Sequence, residues 1–215
     1  MPPADAAEPA EHRCPSAPTV TVLTPDPVDV PAVCDGAWRA IGFLAAAGLQ
    51  PPEGARIELV ERMPEGLRDN SAGCYIRGAR RILLLRYAAF AQRGHWFGLA
   101  VDRGLYRSAA AHEMAHAVVG CHADLYLPGP AHEYVAYVTM FATMDPAVRE
   151  RVLARFPGTG FDSVMQINPT VYFLDPLQFG AEAWRHYLRQ PDRAAWLREV
   201  VAGRAVPEMQ LDVPR

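Results

Sequence analysis

No stretch of this 215-residue chain is long and apolar enough to cross a bilayer, which takes about 18 consecutive apolar residues. The best run, Ile41 to Leu49, is too short and is broken by Gly42 and Gly48. No basic block occurs either. With 21 Lys and Arg against 24 Asp and Glu the net charge is −3, which argues against nucleic acid and anionic membranes as partners. No charged segment followed by an apolar run marks a secretory leader. The expectation is therefore a soluble protein, cytosolic, or secreted or periplasmic if a leader has been removed. Cysteine is scarce. Cys14, Cys34, Cys74 and Cys121 show no C-x-x-C spacing, so a cysteine-based zinc site is not expected. Cys14 with Cys34 would close a modest loop and suit an oxidising compartment, while four free thiols fit the spacing as well. No internal repeat is present.

Half of the residues are hydrophobic, and the length suits one domain with a tail. Residues 1–18 are rich in proline, alanine and glutamate and read as a disordered tail, leaving 19–207 as a single domain. Strands are expected at Thr19–Leu23 and Arg56–Arg62 from their alternation. Gly73–Arg77 and Arg81–Arg86 form the best hairpin candidate, joined through Gly78. The prolines at 25, 27 and 31 confine Val28–Val30 to an edge or connector. Helices are expected from Gly36 to Ala47 behind Asp35, at Tyr87–Arg93, through the 108–120 stretch with Asp102 as its cap, at Ala131–Met144, and from Pro146 to Phe156 behind Asp145. Residues 94–104 read as irregular and 161–175 as loop-like. Two further helices follow, Pro176–Arg189 and Asp192–Gly203. Strands thus come first and helices after, which predicts an α+β domain with a small mixed sheet in the N-terminal half and a helical C-terminal half.

At the junction lies Ser108-Ala-Ala-Ala-His112-Glu113-Met-Ala-His116-Ala-Val-Val-Gly120. Four residues along a helix turn about 400°, so the two imidazoles lie within about 40° of each other and about 6 Å apart along the axis. Both can reach one ion. Glu113, about 100° round from His112, sits beside that ion, where a carboxylate can take a proton from water. Every other residue from Ala109 to Val119 is uncharged, as in a helix buried on most sides. The competing interpretation is a core helix with two incidental histidines. It would bury a carboxylate without a partner, which is unfavourable.

His112, Glu113 and His116 resemble the H-E-x-x-H motif of the zincin metallopeptidases. The resemblance implies a Zn2+ cofactor held by the two histidines, Glu113 as general base toward zinc-bound water, and peptide or protein substrates. It also implies a fold in which the small mixed sheet packs on the active-site helix, with an edge strand open to an extended substrate. The third ligand separates the subgroups. In gluzincins it is a glutamate on a following helix, a place filled here by Glu133, which would share a face with Ala136, Tyr137 and Met140. In metzincins it is a histidine six residues after the second one, a place filled by His122, and Ser163-Val164-Met165 is similar to the methionine turn of that group. The glycine that metzincins place three residues after the second histidine is Val119 here, with Gly120 one later. Peptide deformylases combine the same motif with an upstream cysteine, for which Cys74 is the candidate, although its neighbours lack the rest of that signature. Tyr137 and His186 are the candidates for stabilising an oxyanion. His12, His95 and His132 carry no functional argument. The alternative to a metallopeptidase is a zincin-fold binding protein that does not cut peptides.

Overall fold

The computed structural model describes residues 8–65, 71–123 and 127–206. Residues 1–7 of the expected tail, residues 66–70 and 124–126, and the end of the chain from Pro207 lie outside the described residues. Strand β1 (Ala10–Cys14) occupies part of the expected tail and pairs antiparallel with β2 (Ala17–Thr24), from Ala10 opposite Thr24 to Cys14 opposite Ala17. The tail expectation fails here because Cys14 is buried and joined to Cys34 by a disulfide with a Cα–Cα distance of 5.3 Å. A covalent anchor makes order affordable for a segment whose composition alone would not support it.

Helix α1 (Val30–Ala46) starts earlier than expected. Asp26 caps a single 3-10 turn, Pro27–Asp29, and the helix follows directly, with Pro31 in its first turn where a missing N–H costs nothing. Val28–Val30 are therefore not strand. Asp35, the expected cap, lies inside the helix and pairs with Arg39 at 3.0 Å and Arg107 at 3.3 Å. Strand β3 (Ala55–Val60) lies parallel to β2, so β2–α1–β3 is a crossover unit. The expected hairpin forms from β4 (Gly73–Ile76) and β5 (Arg81–Leu85), with Arg80 left-handed at the turn (φ 49°). The five strands make one mixed sheet in the order β1-β2-β3-β5-β4, with β3 and β5 parallel and β4 at an edge.

Helix α2 (Tyr87–Ala91) leads into a small hairpin, β6 (His95–Trp96) and β7 (Leu99–Ala100), in the stretch expected to be irregular. Its two turn residues, Phe97 and Gly98, both have positive φ (50° and 67°), the geometry of a two-residue hairpin turn. The rest is helical: α3 (Arg103–His122), α4 (Gly129–Thr143), α5 (Pro146–Leu153), α6 (Pro169–Leu174), α7 (Pro176–Leu188) and α8 (Arg193–Val201). The architecture is thus a mixed α/β one, with the five-stranded sheet in the N-terminal half and helices in the C-terminal half.

Two apolar cores meet on α3. The first lies between the sheet and the helices α1 and α3, and holds Val20, Ile57, Leu84, Ala110 and Met114. The second lies among α3, α4, α7 and α8, and holds Val118, Val135, Phe141, Phe179 and Leu197. Among the described residues no helix is long and apolar enough to cross a membrane. The disulfide ties β1 to α1 across a separation of 20 residues. Closing a loop of that size should contribute about 3 kcal/mol by constraining the unfolded chain. Urea unfolding with and without reductant tests this: the midpoint should fall on reduction, and an unchanged midpoint would mean that β1 is held by its sheet contacts alone.

Candidate metal centre

The motif helix is placed from both ends. The Asp102 side chain caps α3 by accepting from the Leu105 N–H at 2.8 Å, as expected from sequence. At the other end α3 does not stop at Gly120 but runs to His122. The glycine is needed for close approach instead. A Cβ at Gly120 would lie 2.6 Å from a ring carbon of Tyr75 on β4. Between these ends Ala109, Ala110, Ala111, Ala115 and Ala117 are all buried, so small side chains let neighbouring elements close in on the helix. Helix α4 opens with Gly129-Pro130, and Tyr134, Val135, Ala136 and Val138 are fully buried in the second core, which fixes the rotation of α4 about its axis.

This rotation brings Glu133 to the two motif histidines. His112 Nε2 and His116 Nε2 are 3.2 Å apart. Glu133 Oε2 is 3.5 Å from His112 Nε2, and Oε1 is 3.6 Å from His116 Nε2. One donor atom from each residue falls within a group whose members all lie within 4.8 Å of one another. Two ligands about 2.05 Å from a tetrahedral zinc ion would be about 3.3 Å apart, so these separations fit an ion at their centre. Two imidazoles and a carboxylate are also a donor set that catalytic zinc uses, leaving a fourth position for water or substrate.

Glu113 is buried beside this group, and β4 explains how. A Cβ at Gly73 would come within 2.5 Å of Glu113 Cγ and 2.6 Å of Cδ, so only glycine at this strand position admits the carboxylate. Burial pushes the Glu113 carboxyl up to about 7, with His112 drawing it down and Glu133 adding to the rise. Burial also pushes Glu133 up, but His116, His112 and the Tyr172 hydroxyl outweigh it and hold that carboxyl at about 2. For His116 burial dominates over Glu133 and lowers it to about 3. At His112 burial opposes the charged form, yet the hydrogen bond and charge of Glu133, and then the charge of Glu113, raise it. An ionised carboxylate converging on imidazole nitrogens is a place where positive charge is stabilised.

The group faces a cleft of about 1210 Å³. One wall is the edge strand β4 with Gly73, Cys74 and Tyr75, and another is α6 with Tyr172, Phe173 and Leu174. Phe173 and Leu174 are 59% and 81% exposed, so the second wall offers apolar surface at the mouth. The hairpin of β6 and β7 adds His95 and Trp96.

Of the candidates named from sequence, the structure unites His112, Glu113, His116 and Glu133. Tyr137 is next to them, its ring edge-on to His112 at 4.6 Å between centroids, and it lines the cleft. His122 does not join the group. It sits at the end of α3, where its Nε2 meets the Gln50 carbonyl oxygen at 2.8 Å. The reason is geometric: α3 continues straight through 119–120, so His122 is carried past the cleft. Met165, in the segment compared to a methionine turn, is 53% exposed on a 3-10 turn capped by Ser163 and does not line the cleft. His186 is turned away, its Nδ1 sharing a hydrogen bond of 2.8 Å with the buried Tyr134 hydroxyl. Cys74 lines the cleft as a free thiol, raised by burial, Glu113 and Glu133, but its sulfur is outside the converging donors.

Sequence reasoning missed three residues here. Tyr172 hydrogen-bonds Glu133 from α6, within the stretch read as loop. Asn168-Pro169 was an available signal, since Asn168 caps that helix by accepting from the Val171 N–H at 3.0 Å. His132 was set aside, yet it lines the cleft, its ring centroid 6.1 Å from that of His116. The Arg77 guanidinium hydrogen-bonds its Nε2, and burial and that charge lower it to about 4. Arg77 carried no sequence signal at all.

A family model described as "Family of unknown function (DUF6639)" matches residues 20–210. No curated protein and no solved structure matches the chain.

Proposed function

The chain belongs to that family of unknown function, and for it we propose a zinc-dependent hydrolase of peptide bonds, zincin-like in the packing of its sheet on the motif helix and gluzincin-like in its third ligand. The observation that carries this reading is the convergence of His112, His116 and Glu133 beside a buried glutamate in an open cleft. These three residues would hold the zinc. When bound in such a set, zinc polarises a carbonyl and makes water more acidic.

The chain's own groups supply the rest. Glu113 accepts a proton from the attacking water and returns it to the leaving amine. Gly73 leaves room for this carboxylate beside the converging donors, at the wall of the cleft. The edge strand β4 borders the cleft, and an extended peptide laid along it can add to the sheet through main-chain hydrogen bonds. Phe173 and Leu174 on the far wall favour apolar side chains in such a peptide. The Cys14–Cys34 disulfide supports an oxidising compartment as the place of action.

The test is turnover of a mixed library of internally quenched peptides by the zinc-loaded protein. Cleavage that stops on chelation and returns with zinc is expected. A protein that holds zinc and binds peptides without cutting any would be a binding module instead.

A further inference from the structure

We propose that Tyr172 is a positioning residue of the metal centre, fixing the Glu133 carboxylate from outside the ligand set. This rests on the metal-site reading above and adds a part to it. The Glu133 oxygens point one at each histidine, Oε2 to His112 and Oε1 to His116. The terminal torsion of a glutamate is soft, so the side chain alone does not hold that orientation. The Tyr172 hydroxyl donates to this carboxylate, and a donor on one oxygen removes the freedom that the torsion leaves.

The phenol can do this only if it is itself held. Helix α6 is capped by Asn168, and the Tyr172 N–H bonds the Asn168 carbonyl oxygen at 3.1 Å. The Tyr172 ring stands edge-on to Phe179 of α7, 5.4 Å between centroids. Phe179 in turn packs on Tyr137 at 6.3 Å, and Tyr137 is the ring that meets His112. One aromatic bracket, Tyr172–Phe179–Tyr137, therefore braces two of the three ligands, through a hydrogen bond at Glu133 and through ring packing at His112. The bracket explains why a six-residue helix in an otherwise irregular stretch is placed against the cleft.

Partners outside a ligand set commonly change metal affinity by about 10–100-fold when removed. The experiment is zinc affinity of the full chain, measured by competition with a chromophoric chelator, for wild type, Tyr172→Phe, Glu133→Ala and the double variant. Tyr172→Phe keeps the ring and its packing, and its thermal midpoint serves as the check on folding. The expected result is about 10–100-fold weaker zinc binding in Tyr172→Phe and no further loss when the same change is made in Glu133→Ala, because the phenol acts through that carboxylate. Equal affinity in wild type and Tyr172→Phe overturns the role, as does an equal loss in both backgrounds. Absence of zinc binding from the wild type overturns the metal reading and this role with it.

Discussion

Glu113→Gln should hold zinc as the wild type does and lose peptide hydrolysis by about 10²–10⁴-fold. The substitution preserves shape in a place where shape is constrained. Gly73 on β4 leaves just enough room for the carboxylate, and an amide of the same outline fits the same space. What changes is proton chemistry. Glutamine cannot accept the proton of an attacking water at neutral pH, and no other described carboxylate lies buried next to the converging donors except Glu133, which faces both histidines. The same side chain is not a member of the donor group, so metal content should not follow activity down. Parallel measurement of zinc stoichiometry and turnover separates the two. Full activity in Glu113→Gln would remove the residue from the chemistry, and loss of zinc would make it a structural support of the site.

The second large effect is on binding. Glu133→Ala should weaken zinc by more than about 100-fold, the upper end of what partners outside a ligand set contribute. Alanine removes the only donor that α4 brings to the group and leaves two imidazoles from one helix. It also removes the anion that compensates positive charge in a buried place. His122→Ala is the matched control, because that ring is engaged with the Gln50 carbonyl oxygen and should leave affinity unchanged. Titration of the three proteins with zinc checks both. If His122→Ala loses the metal and Glu133→Ala keeps it, the ligand assignment is wrong.

The parts of this site that were legible in the sequence are those fixed by helical period. His112, Glu113 and His116 are placed by one helix, and an apolar helix with a capping Asp102 is readable without tertiary information. Glu133 was a weaker inference because it depends on how α4 rolls against α3, which the four buried residues Tyr134, Val135, Ala136 and Val138 decide only once packed. The strands β2 and β3 were readable from alternation, and β4 and β5 as a hairpin pair joined through Gly78. β1 was not, since its order goes with the Cys14–Cys34 bond, which the spacing left open against four free thiols. α6 was hidden for a different reason: six residues give too few turns for periodicity, and only its cap announces it. The hairpin of β6 and β7 is short in the same way, with two residues in each strand. Arg77 and His132 meet across 55 residues of sequence, and nothing local in either segment encodes that contact.

The central claim is that one zinc ion sits among His112, His116 and Glu133. Crystals grown with zinc, with diffraction recorded on either side of the zinc absorption edge, test it most directly. The account predicts an anomalous peak within about 2.0–2.2 Å of His112 Nε2, His116 Nε2 and a Glu133 oxygen. A protein with no anomalous peak in the cleft, or with its zinc on His122, Cys74 or Cys121 instead, would contradict it.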